Sequence, residues 1–289
     1  MSRPNALWAV PGALFFGFFA IIPLLGVVYL SLTEWKGIAT PTFIGFDNWV
    51  SLVHDPLLGQ SATVTAILLV GSILVQAPIS LLLGVWAAGP QRNRAVLSSI
   101  FFIPLLLSSA ATSIMWRQLL DPNFGIPAQF SALFGGSGNF LGTRWGAITS
   151  IILVSSWQFI PFHTLIYQGA ARSISETLYQ AAAIDGAGRV RAFFAITLPQ
   201  LRNAMITSTV LMVIGGLTAF DIVLILTKGG PGTDTAILPY LMYSDAFKSY
   251  NMGYGSAIAV ILVILATAIS ILMVKLSGYG EMTSTQEGL

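Results

Sequence analysis

The chain has 289 residues, 55% of them hydrophobic and only 8% charged, with a formal net charge of +2. A soluble domain carries roughly 25% charged residues, so this chain cannot coat a water-facing surface, and a mean hydropathy of +0.81 makes lipid its main solvent. Cysteine is absent and histidine is limited to His54 and His163, which excludes disulfides, thiolate metal sites and a multi-histidine metal centre.

Long uncharged runs mark the elements in chain order. Residues 4–33, 56–91, 95–116, 145–171 and 249–274 carry no charge, and 203–227 is interrupted by Asp221 alone. Each run exceeds the ~20 residues needed to cross a bilayer core. The expectation is an all-α membrane protein with six transmembrane helices, near 7–33, 61–88, 96–118, 147–171, 205–227 and 255–275. The first run reads as an uncleaved helix, because its apolar stretch is about twice the ~7–15 residues of a signal peptide's core. Residues 122–143 are also uncharged, but Pro122, Asn123, Pro127, Gly135, Gly136, Gly138 and Asn139 interrupt them. A lipid-facing backbone could not tolerate that. The stretch reads as an extramembrane loop with one short helix around Ala128–Phe134.

Basic residues set the orientation. With both termini in the cytoplasm, the inner side holds Arg3, Arg92, Arg94, Arg172, Arg189, Arg191, Arg202 and Lys275, while most of the acids fall outside. The organisation expected is a first helix and outside segment over 1–60, a core of five helices over 61–276, and a polar tail over 277–289.

The inner loop at 172–204 is too long for a turn. Ser175 reads as the N-cap of a helix running through Ala181, Ala182 and Ala183 to Ile184. Gly186 and Gly188 punctuate it. A second helical stretch follows, with Val190, Phe193, Phe194 and Thr197 on one mostly apolar stripe, and Pro199 at the start of helix five. Small alanines on the first helix suit close approach by another surface; the alternative is a helix lying on lipid.

The run Gln180-Ala-Ala-x-Ile-Asp-Gly-Ala, then Phe193, then Ile196-Thr-Leu-Pro199, closely resembles the EAA motif of binding-protein-dependent ABC importer permeases. One position departs: Gln180 stands where the family usually has Glu. Phe220-Asp-Ile-Val, Gly229-Gly-Pro-Gly, Thr235, Tyr243, Ala246-Phe247 and Gly253-Tyr-Gly-Ser-Ala-Ile-Ala look like the distal half of the carbohydrate-uptake branch. They are most similar to the first permease of the maltose and glycerol-phosphate type. Trp35, Phe43, Gly45, Asn48 and Trp49 resemble that branch's outside segment.

The resemblance implies a type I ABC importer permease fold and a heterodimer with a second permease. It also implies two ATPase subunits, an extracytoplasmic solute-binding protein, and a place in a prokaryotic cell membrane. The motif implies an ATPase-coupling role for Tyr179, Gln180, Ala181, Ala182, Asp185, Gly186, Ala187, Arg189 and Phe193. Paired Gly215 and Gly216 are expected to act as a hinge, since adjacent glycines soften a helix.

No phosphate-binding loop of the form Gly-x-x-x-x-Gly-Lys-[Ser/Thr] occurs, so ATP and magnesium belong to partner subunits and this chain is expected to be neither an enzyme nor a cofactor or metal binder. The enzymatic rival is an intramembrane protease. It has the Gly135-Gly-Ser-Gly138 stretch in its favour, but that lies in an outside loop and the last span carries no histidine. The rival within transport is a stand-alone ion-coupled carrier, for which Asp221 is the one intramembrane acid.

Sugars are bound by aromatic faces and hydrogen bonds. The expected substrate path is therefore Trp157, Gln158, Phe162 and Tyr167 on helix four and Phe220 and Asp221 on helix five. With no basic residue in the interior, a neutral mono- or oligosaccharide fits better than a sugar phosphate. Gly253, Gly255, Ser256 and Ala257 are small enough for a helix seam, between subunits or within one.

Overall fold

The computed structural model describes residues 6–38, 40–89, 100–129 and 138–276. In chain order the main helices are α1 (Val10–Leu30), α2 (Asp47–Val53), α3 (Pro56–Ala87), α4 (Ile103–Leu106), α5 (Ser109–Leu119), α6 (Arg144–Arg172), α7 (Glu176–Ile184), α8 (Arg189–Ala192), α9 (Arg202–Leu217), α10 (Phe220–Leu226), α11 (Leu238–Tyr243) and α12 (Met252–Leu276). A hairpin pairs β1 (Thr33–Glu34) with β2 (Thr42–Phe43), antiparallel.

Among the described residues, α1, α3, α6 and α12 are each long and apolar enough to cross a bilayer, and α9 with α10 would make a fifth span. The expected helix at 96–118 is not continuous. Residues 96–99 lie outside the described residues, and the rest breaks at Leu107, whose backbone is extended. Ser108 then caps α5 by accepting the Ala111 amide at 3.2 Å. A serine in this position offers the backbone a cap in place of a continuing turn. The expected helix at 205–227 breaks as well. It bends by 45° between α9 and α10, where Thr218 Oγ1 bonds back to the carbonyls of Ile214 (2.9 Å) and Gly215 (3.3 Å). The expected short helix at 128–134 starts earlier, with residues 126–129 helical; its remainder, most of the Gly135–Gly138 stretch and the 277–289 tail lie outside the described residues.

Among the described residues three π turns interrupt the helices, over Gly17–Ile21, Phe193–Thr197 and Ser244–Lys248. The first two each end two residues before a proline, Pro23 and Pro199. A helical proline clashes with the carbonyl four residues back and cannot donate to it, and a widened turn just ahead relieves that clash.

The first compact unit is built from residues of 1–62 and 238–265. Asn48 organises it by donating from Nδ2 to the carbonyls of Ser31 (3.0 Å) and Thr33 (2.9 Å). The Met252 amide donates to the Trp35 carbonyl at 2.9 Å, and Tyr254 donates to Asp55 Oδ2 at 2.6 Å. Leu52, Leu241, Ala257 and Ile258 form the core, with Trp49 against it. The small residues of α12 pack within the chain here. A Cβ on Gly253 would lie 1.9 Å from the Thr33 carbonyl oxygen, and one on Gly255 would lie 2.6 Å from the Ala246 methyl.

The second unit is built from residues of 63–237 and 266–276. Its centre is α6, capped by Thr143, which accepts the Gly146 amide at 3.3 Å. α6 packs against α4, α5, α9 and α10, and α5 packs against α10. Where α3 crosses α6 closely, Gly84 lies under Tyr167: a Cβ there would sit 2.5 Å from the tyrosine Cβ.

A candidate translocation cavity and an exposed loop

The second unit encloses a cavity of about 330 Å³. Its polar lining comes from Ser72 and Gln76 of α3 and from Ser155 and His163 of α6, and its rings from Phe159 and Phe162. The spacing follows from the helix period: 72 and 76 are one turn apart, and 155, 159, 162 and 163 share one face of α6. Ser72 Oγ and Ser155 Oγ are 3.5 Å apart. His163 is 4% exposed, and its Nδ1 lies 3.0 Å from the buried Ser208 Oγ on α9. That contact occupies one ring nitrogen, and Nε2 has no partner among the described residues. No Asp, Glu, Lys or Arg is among the lining residues, and no group of residues suited to hold a metal occurs among the described residues.

The remaining lining is apolar and includes Gly215 and Gly216. The two glycines differ. A Cβ on Gly216 would meet Leu69 Cδ1 at 2.6 Å, whereas one on Gly215 meets nothing within 4 Å. Gly216 thus lets α9 approach α3, and Gly215 leaves volume open. Both lie just before the 45° break, which falls at Thr218 and Ala219 rather than at the glycines themselves.

Of the residues expected to form the substrate path, Phe162 lines the cavity and the other five do not. Trp157 is 37% exposed and stacks edge-on against Trp116, with ring centroids 5.6 Å apart. Gln158 is 2% exposed and donates from Nε2 to the Leu107 carbonyl at 3.0 Å, so it holds the break between α4 and α5. Tyr167 is buried at the crossing with Gly84. Phe220 and Asp221 begin α10, with Asp221 exposed. The residues that sequence reading missed, Ser72, Gln76, Ser155 and Phe159, were signalled by polar and aromatic side chains recurring at helical spacing inside charge-free runs.

The second feature is the loop at 175–200. Ser175 caps α7, accepting the Thr177 amide at 3.4 Å. The helix ends in a closed C-terminal turn. The Ala187 amide bonds to the Ala182 carbonyl at 2.8 Å and the Gly186 amide to the Ala183 carbonyl at 3.1 Å, with Gly186 at φ +74. That pair of bonds requires a left-handed residue, which glycine adopts without penalty. Asp185 is the C-cap, and Gly188 starts the chain into α8 beside Arg189. Gln180, Ala181, Ala183 and Ile184 are exposed, as is Leu178; only Tyr179 and Ala182 are drawn in.

The expected apolar stripe does not hold together. Val190 and Phe194 are exposed, Phe193 is half-buried and Thr197 is 3% exposed. The π turn at Phe193–Thr197 shifts the helical register, so positions that an α-helix would align face different ways.

Comparison with known proteins agrees with this architecture. Residues 80–278 match the family described as the binding-protein-dependent transport system inner membrane component. A probable ABC transporter permease protein, YurN of Bacillus subtilis, is 33% identical over 281 residues, covering 95% of this chain and 96% of its own. The multiple sugar-binding transport system permease protein MsmF of Streptococcus mutans is 34% identical over 266 residues, covering 90% of each chain. A chain of a bacterial alginate ABC transporter, crystallised in complex with an alginate pentasaccharide-bound periplasmic protein, superposes with a TM-score of 0.83 at 21% identity, over 96% of this chain and 94% of that one. The fold is therefore that of ABC importer permeases. The chain belongs to the family of inner membrane components of binding-protein-dependent transport systems.

Proposed function

We propose that this chain is one of two permease subunits of an ATP-driven, receptor-dependent importer of neutral saccharides in a prokaryotic cell membrane, with both termini cytoplasmic. The observation that carries the reading is α7. It is a capped helix closed by Gly186, and it presents Leu178, Gln180, Ala181 and Ile184 outward. A short exposed helix with apolar residues on its outer face suits a groove on a cytoplasmic ATPase. ATP and magnesium act on that partner, and two ATPase copies, a second permease and an extracytoplasmic solute-binding protein complete the assembly.

The cavity supports the solute class. Its lining offers hydroxyl, amide and imidazole groups and the Phe159 and Phe162 rings, without a charge. Hydroxyl-rich rings are recognised by that combination, and a phosphate would lack a cationic partner. The name of the relative MsmF, a multiple sugar-binding transport system permease protein, supports a sugar as the solute.

The test is co-purification of the native chain from its membrane after gentle detergent extraction, followed by reconstitution into liposomes. The expected result is a retained ATPase and solute uptake that requires ATP and the receptor. Uptake by this chain alone, driven by an ion gradient and with no ATPase retained, would replace the reading with a stand-alone carrier.

A further inference from the structure

Tyr179 stands among the residues implied to couple to an ATPase, yet its hydroxyl points back into this chain. Tyr179 Oη lies 2.9 Å from Thr197 Oγ1. Thr197 ends the π turn, is 3% exposed, and stands four residues before Leu201, which is fully buried at the start of α9. Among the described residues this is the one side-chain hydrogen bond joining α7 to the 189–200 segment. The other side-chain bonds of Ser175 and Thr177 stay within the first turn of α7. The backbone route between the two partners is 18 residues long. It passes through Gly186 and Gly188, where an added Cβ would meet nothing within 4 Å. Both glycines of that elbow are exposed.

We propose that the Tyr179–Thr197 hydrogen bond is the mechanical tie by which a displacement of α7 reaches α9, bypassing the glycine elbow. Tyr179 is then a positioning residue acting through Thr197, not a docking contact. The tie leads directly to the helix that lines the cavity through Leu211, Met212 and Gly215. The inference rests on the coupling role proposed above for α7.

The chain has no cysteine, so a single Gly215→Cys substitution reports on the cavity by maleimide labelling. The experiment uses the whole complex in liposomes, with and without ATP, and compares the Gly215→Cys chain otherwise native with the same chain carrying Tyr179→Phe, Thr197→Val, Thr197→Ser, or the first two together. The expected result is a change in labelling rate on adding ATP that falls about threefold to tenfold in Tyr179→Phe and Thr197→Val, in line with one neutral hydrogen bond. The ATPase stays bound and active in both. Thr197→Ser, which keeps the hydroxyl, retains the native response, and the double variant is no worse than either single one. A native-sized response in both single variants overturns the proposal. So does release of the ATPase by Tyr179→Phe, which would make the tyrosine a docking contact. If the otherwise native chain holds no ATPase at all, the coupling role itself fails, an outcome separate from failure of the tie alone.

Discussion

Gly186 gives the sharpest test of the loop, because its strain is purely conformational. It sits at φ +74, and a Cβ there meets nothing within 4 Å, so any penalty comes from the backbone and none from crowding. An L-residue forced into the left-handed region pays roughly 1–2 kcal/mol, and asparagine less. α7 has nine residues and none is buried, and a helix so short has little stability of its own. The penalty therefore falls on the population of the closed turn, lowering it by a factor of about 5–30. Affinity for the ATPase should fall in the order Gly, Asn, Ala, Val at position 186. Gly186→Ala is expected to weaken binding by about tenfold and Gly186→Val by more. Titration of detergent-solubilised permease with the purified ATPase, read by fluorescence anisotropy, measures this. Equal affinity for Gly186→Ala and the native chain would refute the argument, as would Gly186→Asn binding no better than Gly186→Ala.

Three further outcomes follow from the geometry. Gly215→Phe should abolish uptake while leaving ATPase binding intact, because the ring enters the open cavity; Gly216→Phe should instead lower the complex's thermal midpoint, because it drives into Leu69. Gln158→Leu removes the hydrogen bond from the buried Gln158 amide to the Leu107 carbonyl, a net loss of about 0.5–1.5 kcal/mol, measurable as a lower midpoint in a thermal shift assay. Burial, and then the charge of Asp55, hold the Asp245 carboxyl above the usual carboxylate range. The folded state thus keeps this proton to higher pH than the unfolded chain does, so stability falls as pH rises from the ordinary carboxylate value through the raised one. Asp245→Asn should flatten that slope and raise the midpoint at neutral pH.

The spans were legible because lipid leaves a coarse imprint: α1, α3, α6 and α12 coincide with runs in which charge is missing. The breaks were not, because a charge-free run says nothing of continuity. Leu107 is as apolar as its neighbours, and its extended backbone depends on a glutamine 51 residues away. The first half of the loop was well read, since its Ser cap and Asp-Gly turn are local chemistry, whereas the widened turn in its second half left no such mark. The lining of the cavity was the hardest part to read. Trp157 and Tyr167 have the right chemistry for sugar, but which face of α6 opens onto a cavity is decided by packing against α3 and α9. Gly84 closes one side over Tyr167, while Ser72 and Gln76 line the other.

The widened turn at Phe193–Thr197 has a consequence for chain length. It houses one residue more than an α-helix would, and each residue of an α-helix turns the chain by about 100°. Deleting a single residue between Phe193 and Thr197 would remove that extra residue and restore a regular helix with both flanks facing as before, whereas deleting one from regular helix beside it would swing what precedes it by about 100° around the axis leading into α9. In most surface loops a one-residue deletion is absorbed. Here the widened turn is the place that can absorb it, and the direction in which the loop faces is set by the count of residues on either side of that turn.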